Sequence, residues 1–166
     1  MKKLLLFVVL ASCSVLALAQ DIKGNYAIKN VKTGMLLRIK DANSKNGTPI
    51  VAYYPENWKC MTWDFKKTDA NTYQLRNLFS NKTLEPVALA AADVAFHEQP
   101  LVPGEAKQQY EFISVKKDTY LIKLKGTDLY VTPANPKGEV NSAIVLAVKK
   151  GTPDQQWFIY EQAPTM

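Results

Sequence analysis

Gln155-Gln156-Trp157-Phe158-Ile159 decides the fold, because stepping back from it by 47 residues meets the same pattern twice more. Tyr110 and Trp63 stand where Trp157 does, and Phe112 and Phe65 stand where Ile159 does. At the opposite end of the unit Tyr26, Tyr73 and Tyr120 keep the same spacing, as do Ile28, Leu75 and Ile122. In mid-unit Leu37, Leu84 and Val131 do so too. The register holds at its start, middle and end, so the reading needs no gap. A repeat of this period means one supersecondary unit used three times, none of which can bury its apolar face alone.

Within the first unit, Asn25 to Asn30 alternates with Tyr26 and Ile28 on one face, the mark of a half-buried strand. Lys32-Thr33-Gly34 reads as a turn and Met35 to Ile39 as a second strand. Asn43 to Pro49 is a loop, Ile50 to Tyr54 a third strand and Met61 to Phe65 a fourth. The third unit repeats this with Tyr120 to Leu124, Leu129 to Thr132, Ile144 to Val148 and Gln156 to Tyr160. Four short strands in each of three units predict an all-β chain of about twelve strands. The second unit is the least regular. Val87 to Phe96 is alanine-rich and favours helix on propensity, with Pro86 suited to a first helical turn. The register predicts loop and strand there, with at most a turn or two of helix.

Residues 1–19 stand outside the repeat. Lys2 and Lys3 precede an almost wholly apolar run, Leu4 to Leu16, and Ala17-Leu18-Ala19 has the small-x-small pattern of a signal-peptide cleavage site. A single mature domain, residues 20–166, is therefore expected to be exported, secreted or periplasmic, with units at about 24–70, 71–117 and 118–164. Leu10-Ala11-Ser12-Cys13 resembles a lipobox, and lipidation of Cys13 is the one route by which a membrane would be a partner. Removing the leader takes two lysines from a formal charge of +6, leaving +4. So mild a balance, with its lysine pairs in turns, predicts no nucleic-acid partner. The mature chain keeps only Cys60, so no intramolecular disulfide is available and a monomer must be stabilised by its core.

Units of this length that open like Tyr26-x-Ile28-x-Asn30-x-x-Thr33-Gly34 and close like Gln155-x-Trp157 resemble the ricin B-type lectin domain, a β-trefoil. The step Asn46-Gly47-Thr48-Pro49-Ile50 is similar to that family's Gly-Thr-x-Val, and the resemblance covers the whole mature chain. It implies six strands closed into a barrel and six capping it as hairpins, which leaves few exposed edges. The phase of Trp63, Tyr110 and Trp157 relative to Phe65, Phe112 and Ile159 predicts core packing rather than sugar stacking, and Tyr26, Tyr73 and Tyr120 read the same way.

The resemblance further implies a glycan or polysaccharide partner, held by a carboxylate, an aromatic ring and a polar amide. The carboxylate follows Leu37, Leu84 or Val131, where this chain has Arg38, Glu85 and Thr132. The ring position, counted by the repeat, holds Tyr53, Pro100 and Ala147. No unit combines acid and ring. Two sets of candidates follow, of which the first-unit set ranks first. Arg38, Tyr53 and Asn57 in the first unit would suit an acidic sugar. Glu85 with His97 in the second would hold hydroxyls.

His97 is the single histidine, no nucleophile turn accompanies it, and its neighbours Asp93 and Glu98 lack zinc spacing. No enzymatic activity, metal or cofactor is expected. The alternative to a lectin is a secreted protease inhibitor or protein-docking module, which would present a protruding loop such as Pro100 to Lys107 or Pro55 to Met61.

Overall fold

The computed structural model describes residues 21–165. The expected leader and Cys13 lie outside the described residues. The strands are β1 (Asn25–Asn30), β2 (Leu36–Ile39), β3 (Ile50–Tyr53), β4 (Thr62–Asp69), β5 (Thr72–Asn77), β6 (Thr83–Pro86), β7 (Phe96–Gln99), β8 (Tyr110–Lys116), β9 (Thr119–Leu124), β10 (Leu129–Pro133), β11 (Ile144–Val148) and β12 (Gln156–Glu161). Strands β1, β4, β5, β8, β9 and β12 pair in that order, and β12 returns to β1, closing a barrel. The remaining six form three hairpins, β2–β3, β6–β7 and β10–β11. This is the all-β trefoil that the repeat predicts.

The repeated residues build the core in layers. Phe65, Phe112 and Ile159 are buried, with Phe65 and Phe112 edge to face at 5.0 Å. Trp63, Tyr110 and Trp157 are at most 1% exposed, which rules out stacking on a sugar. Their polar tips donate hydrogen bonds to equivalent carbonyls: Trp63 Nε1 to Leu37 at 3.1 Å, Tyr110 Oη to Leu84 at 2.8 Å and Trp157 Nε1 to Val131 at 2.9 Å. Each ring thus fastens a barrel strand to the hairpin of its own unit. Of the three repeated tyrosines Tyr26, Tyr73 and Tyr120, only Tyr73 is buried, while Tyr26 and Tyr120 are half-buried. The threefold symmetry breaks there because the chain enters over Tyr73: Ile22 is buried and its N–H donates to the Tyr73 hydroxyl at 3.1 Å.

One expectation fails. Across the hairpins Leu37 faces Ala52, Leu84 faces Glu98 and Val131 faces Leu146. Ala52 and Leu146 are 94 positions apart, two full repeats, whereas Glu98 follows Ala52 by 46. The second hairpin is one residue short, and the residue is regained before Tyr110. Three single bridges around the cap, Pro49–His97, Ala95–Val145 and Ala143–Val51, obey the corrected register. The ring position of the second unit is therefore Gln99, opposite Thr83, and not Pro100.

The alanine-rich stretch before β7 is loop, as the register requires, with no helix in it. Its backbone groups are spent on other strands: Asp93 N–H donates to the Leu146 carbonyl at 2.8 Å and Leu146 N–H to that of Val94 at 2.9 Å. Pairing with β11 outweighs the helical preference of alanine, which amounts to less than about 1 kcal/mol per residue.

Candidate functional site

Arg38, Glu85 and Thr132 follow the core residues Leu37, Leu84 and Val131, so strand alternation turns them away from the barrel. They are nevertheless 7%, 6% and 4% exposed. The segment leading to the next barrel strand folds back over each of them and supplies its neighbours.

In the first unit this cover is aromatic. The Arg38 guanidinium carbon lies over the Tyr53 ring, 4.0 Å from its centroid, with the Trp58 ring beside them at 5.7 Å from the guanidinium and 6.2 Å from Tyr53. Its Nη2 is 3.9 Å from the Asp41 carboxylate, and its buried Nε has no hydrogen-bond partner. Burial pushes the neighbouring Cys60 thiol up, although Arg38 pulls the other way. The structure therefore unites Arg38 and Tyr53, but the arginine occupies one face of the ring. Asn57 is turned elsewhere, donating from Nδ2 to the Ala163 carbonyl at 2.9 Å. Trp58 completes the group and was missed in the sequence because no aromatic stands 47 residues beyond it.

In the second unit Glu85 and His97 are cross-strand partners. Glu85 Oε1 lies 3.6 Å from His97 Nε2 and 3.0 Å from Lys107 Nζ, while Oε2 accepts from Gln108 Nε2 at 2.7 Å. The hydrogen bond and charge of Glu85 hold the Lys107 ammonium above its ordinary value. Burial, and then the Glu85 charge, push the Tyr110 hydroxyl well above its own. Glu85, His97 and Lys107 line a cleft of about 430 Å³ whose other walls include Val87, Leu89 and Leu124. Leu89 is 92% exposed at its lip. Lys107 was missed because its counterparts, Cys60 and Asp154, share no chemistry with it.

The third unit has Thr132, which bonds to the Tyr130 carbonyl, and a buried Ala147 where a ring would be. Gln108 and Gln155 are structural, as their place in the repeat suggests. Gln155 Oε1 accepts from Lys150 and Gly151 N–H, and its Nε2 donates to the Val148 carbonyl. The segment from Pro100 to Lys107 does not stand free: Gln74 Nε2 donates to the Val102 carbonyl, Val102 N–H to Gln108 Oε1 and Gln109 Nε2 to the Gly104 carbonyl.

The model of the ricin-type beta-trefoil lectin domain-like family matches residues 15–97, half of the chain. A comparison with curated proteins gave no match. Among solved structures, the designed threefold-symmetric protein ThreeFoil is 16% identical with a TM-score of 0.79, covering 84% of this chain and 99% of its own. The Rhizoctonia solani agglutinin is 17% identical with a TM-score of 0.77, covering 87% and 99%. The Macrolepiota procera ricin B-like lectin, solved with lactose, is 18% identical with a TM-score of 0.70, covering 85% and 98%. At these identities the likeness is one of fold. Together with the family match, and with three units each fastened by the ring that closes its motif, it settles the affiliation: the chain belongs to the ricin-type β-trefoil lectin domain-like family.

Proposed function

We propose that the chain is an exported carbohydrate-binding domain without catalytic activity, and that it holds its glycan in the second-unit cleft. The observation that carries this reading is Glu85, a carboxylate fixed by Gln108 and Lys107 at the wall of a cleft that also presents His97 and apolar side chains. Ordered acceptors and donors beside an apolar wall match the mixed surface of a sugar, whose hydroxyls are otherwise cheaply hydrated. The first-unit set ranks second, because Arg38 already covers one face of Tyr53 and Asn57 points away.

The test is a glycan array probed with residues 20–166, the Glu85→Gln and His97→Ala variants, and Tyr53→Ala with Arg38→Ala. Loss of neutral-glycan binding in the first pair, with retention in the second, supports the cleft. The reverse pattern moves the site to the first unit. A silent array overturns the proposal for the glycans tested.

A further inference from the structure

The outer wall of the barrel carries a threefold device that is broken once. Asp64 on β4 faces Arg76 on β5, and Glu111 on β8 faces Lys123 on β9. Both are ion pairs, Asp64 Oδ2 lying 2.7 Å from Arg76 Nη2 and Glu111 Oε2 2.9 Å from Lys123 Nζ. The third pair in this register is Phe158 on β12 against Lys29 on β1. The cation is kept and the acid is replaced by a ring that is 38% exposed.

Lys29 and Phe158 border a cleft of about 340 Å³, lined also by Thr119, Lys116 and Lys117 among others. Four adjacent strands meet here: Lys29 pairs with Phe158, Phe158 with Thr119 and Thr119 with Lys116. Among the described residues none of the three lysines makes an ion pair. Asp118, the acid in the β8–β9 turn, makes no ion pair with them. Tyr160 stacks beside Phe158 at 6.0 Å, which fixes the ring and extends the aromatic surface along β12.

We propose that this wall is a second binding site, separate from the hairpin-cap cleft, and that its ligand is an acidic polysaccharide bearing carboxylate or sulfate groups. An aromatic floor suits the apolar C–H face of a pyranose, and three unneutralised ammonium groups around it suit anionic substituents on the same or the next sugar. The mild charge of the mature chain, +4 once the leader's two lysines are taken from +6, argues against a nucleic acid, so the ring is assigned to a saccharide. This site stands whether or not the cap cleft binds a neutral glycan.

The experiment is affinity electrophoresis of residues 20–166 through gels containing polygalacturonate, heparin or neutral dextran, with a single-stranded oligonucleotide titrated separately. Polygalacturonate and heparin distinguish a carboxylate from a sulfate requirement. The expected result is retardation by at least one of the two, weakened by added salt. Phe158→Ala should lower affinity about tenfold and Lys29→Gln about threefold or more. Phe158→Asp should abolish retardation while rebuilding the ion pair seen at Asp64 and Glu111, so that its thermal midpoint does not fall. No retardation by either polyanion overturns the site. So does retardation unchanged in Phe158→Ala and Lys29→Gln, and so does oligonucleotide binding of equal strength with the same variant profile, which would show charge without saccharide selection.

Discussion

Glu98 stands where the other units have Ala52 and Leu146, wholly buried and facing Leu84, with no hydrogen-bond partner on either carboxylate oxygen. Burial pushes its carboxyl above the ordinary value of 4.5, and Ser80 and Lys82 nearby offset this only in part. A group whose folded value is raised contributes stability that is fully present below the unfolded value and is lost as pH rises through the folded one. The domain should therefore unfold at lower urea in alkaline than in mildly acidic buffer. Asp64 runs the other way: burial raises its carboxyl, but Lys66 and Arg76 outweigh this and hold it below 3.8. Its contribution is lost only as pH falls through that lowered value, outside the Glu98 window. Glu98→Leu should stabilise the fold by about 1–3 kcal/mol at neutral pH, because a buried carboxyl without a hydrogen-bond partner is exchanged for the residue type of Leu146. It should also flatten the dependence above pH 4.5. Urea midpoints of both proteins across that range decide it, and a variant that keeps the full slope excludes Glu98 as its source. A smaller change tests the repeated ring-to-carbonyl bond. Tyr110→Phe keeps the ring and removes one donor, and should cost about 1–2 kcal/mol in chemical denaturation.

At the scale of elements, the closing glutamine controls the segment between hairpin and barrel. Gln155→Ala would strand two N–H groups and one carbonyl, those of Lys150, Gly151 and Val148. The expected cost is about 1–3 kcal/mol, with faster amide exchange at Lys150 and Gly151 and unchanged exchange in β5. The first unit survives with Met61 in this place because its segment is secured differently, Thr62 Oγ1 donating to the Trp58 carbonyl at 2.9 Å. Barrel strands were legible in the sequence because each must place a large apolar side chain at a fixed point of a closed ring, which leaves a period. The short second hairpin was not, because Val87 to Ala95 carries no large repeated side chain to mark register, and one missing residue there leaves no trace. For the same reason Gln99 could not be recognised behind Pro100. Of the site, the pairing of Arg38 with Tyr53 and of Glu85 with His97 could be anticipated from strand positions. The direction of Asn57 and the arrival of Lys107 could not, since both depend on how irregular segments fold back.

For the molecule as a whole, no unit owns a complete barrel strand pair on both sides, and the cap bridges link each hairpin to the other two. Unfolding should accordingly be a single transition, with calorimetric and van't Hoff enthalpies that agree. Two resolved transitions would mean that one unit melts by itself. The electrostatic pattern is likewise global: two walls are neutralised by their own cross-strand acids and the third is left positive, so charge on the barrel is directional although the backbone is close to threefold.

The pairing of β1 with β12 has a last consequence. Five residues of each strand stand in register, from Tyr26 with Glu161 to Asn30 with Trp157, and Gln162 N–H reaches the Asn25 carbonyl at 2.9 Å. The barrel is a ring without a seam, and the polypeptide's order of units is only one of the ways to cut it. A circularly permuted gene that joined residue 163 to residue 21 through a short linker, so keeping Ile22 over Tyr73, and opened the chain at Ala70–Asn71, a turn between two barrel strands, would encode the same three units in rotated order and should fold to the same trefoil.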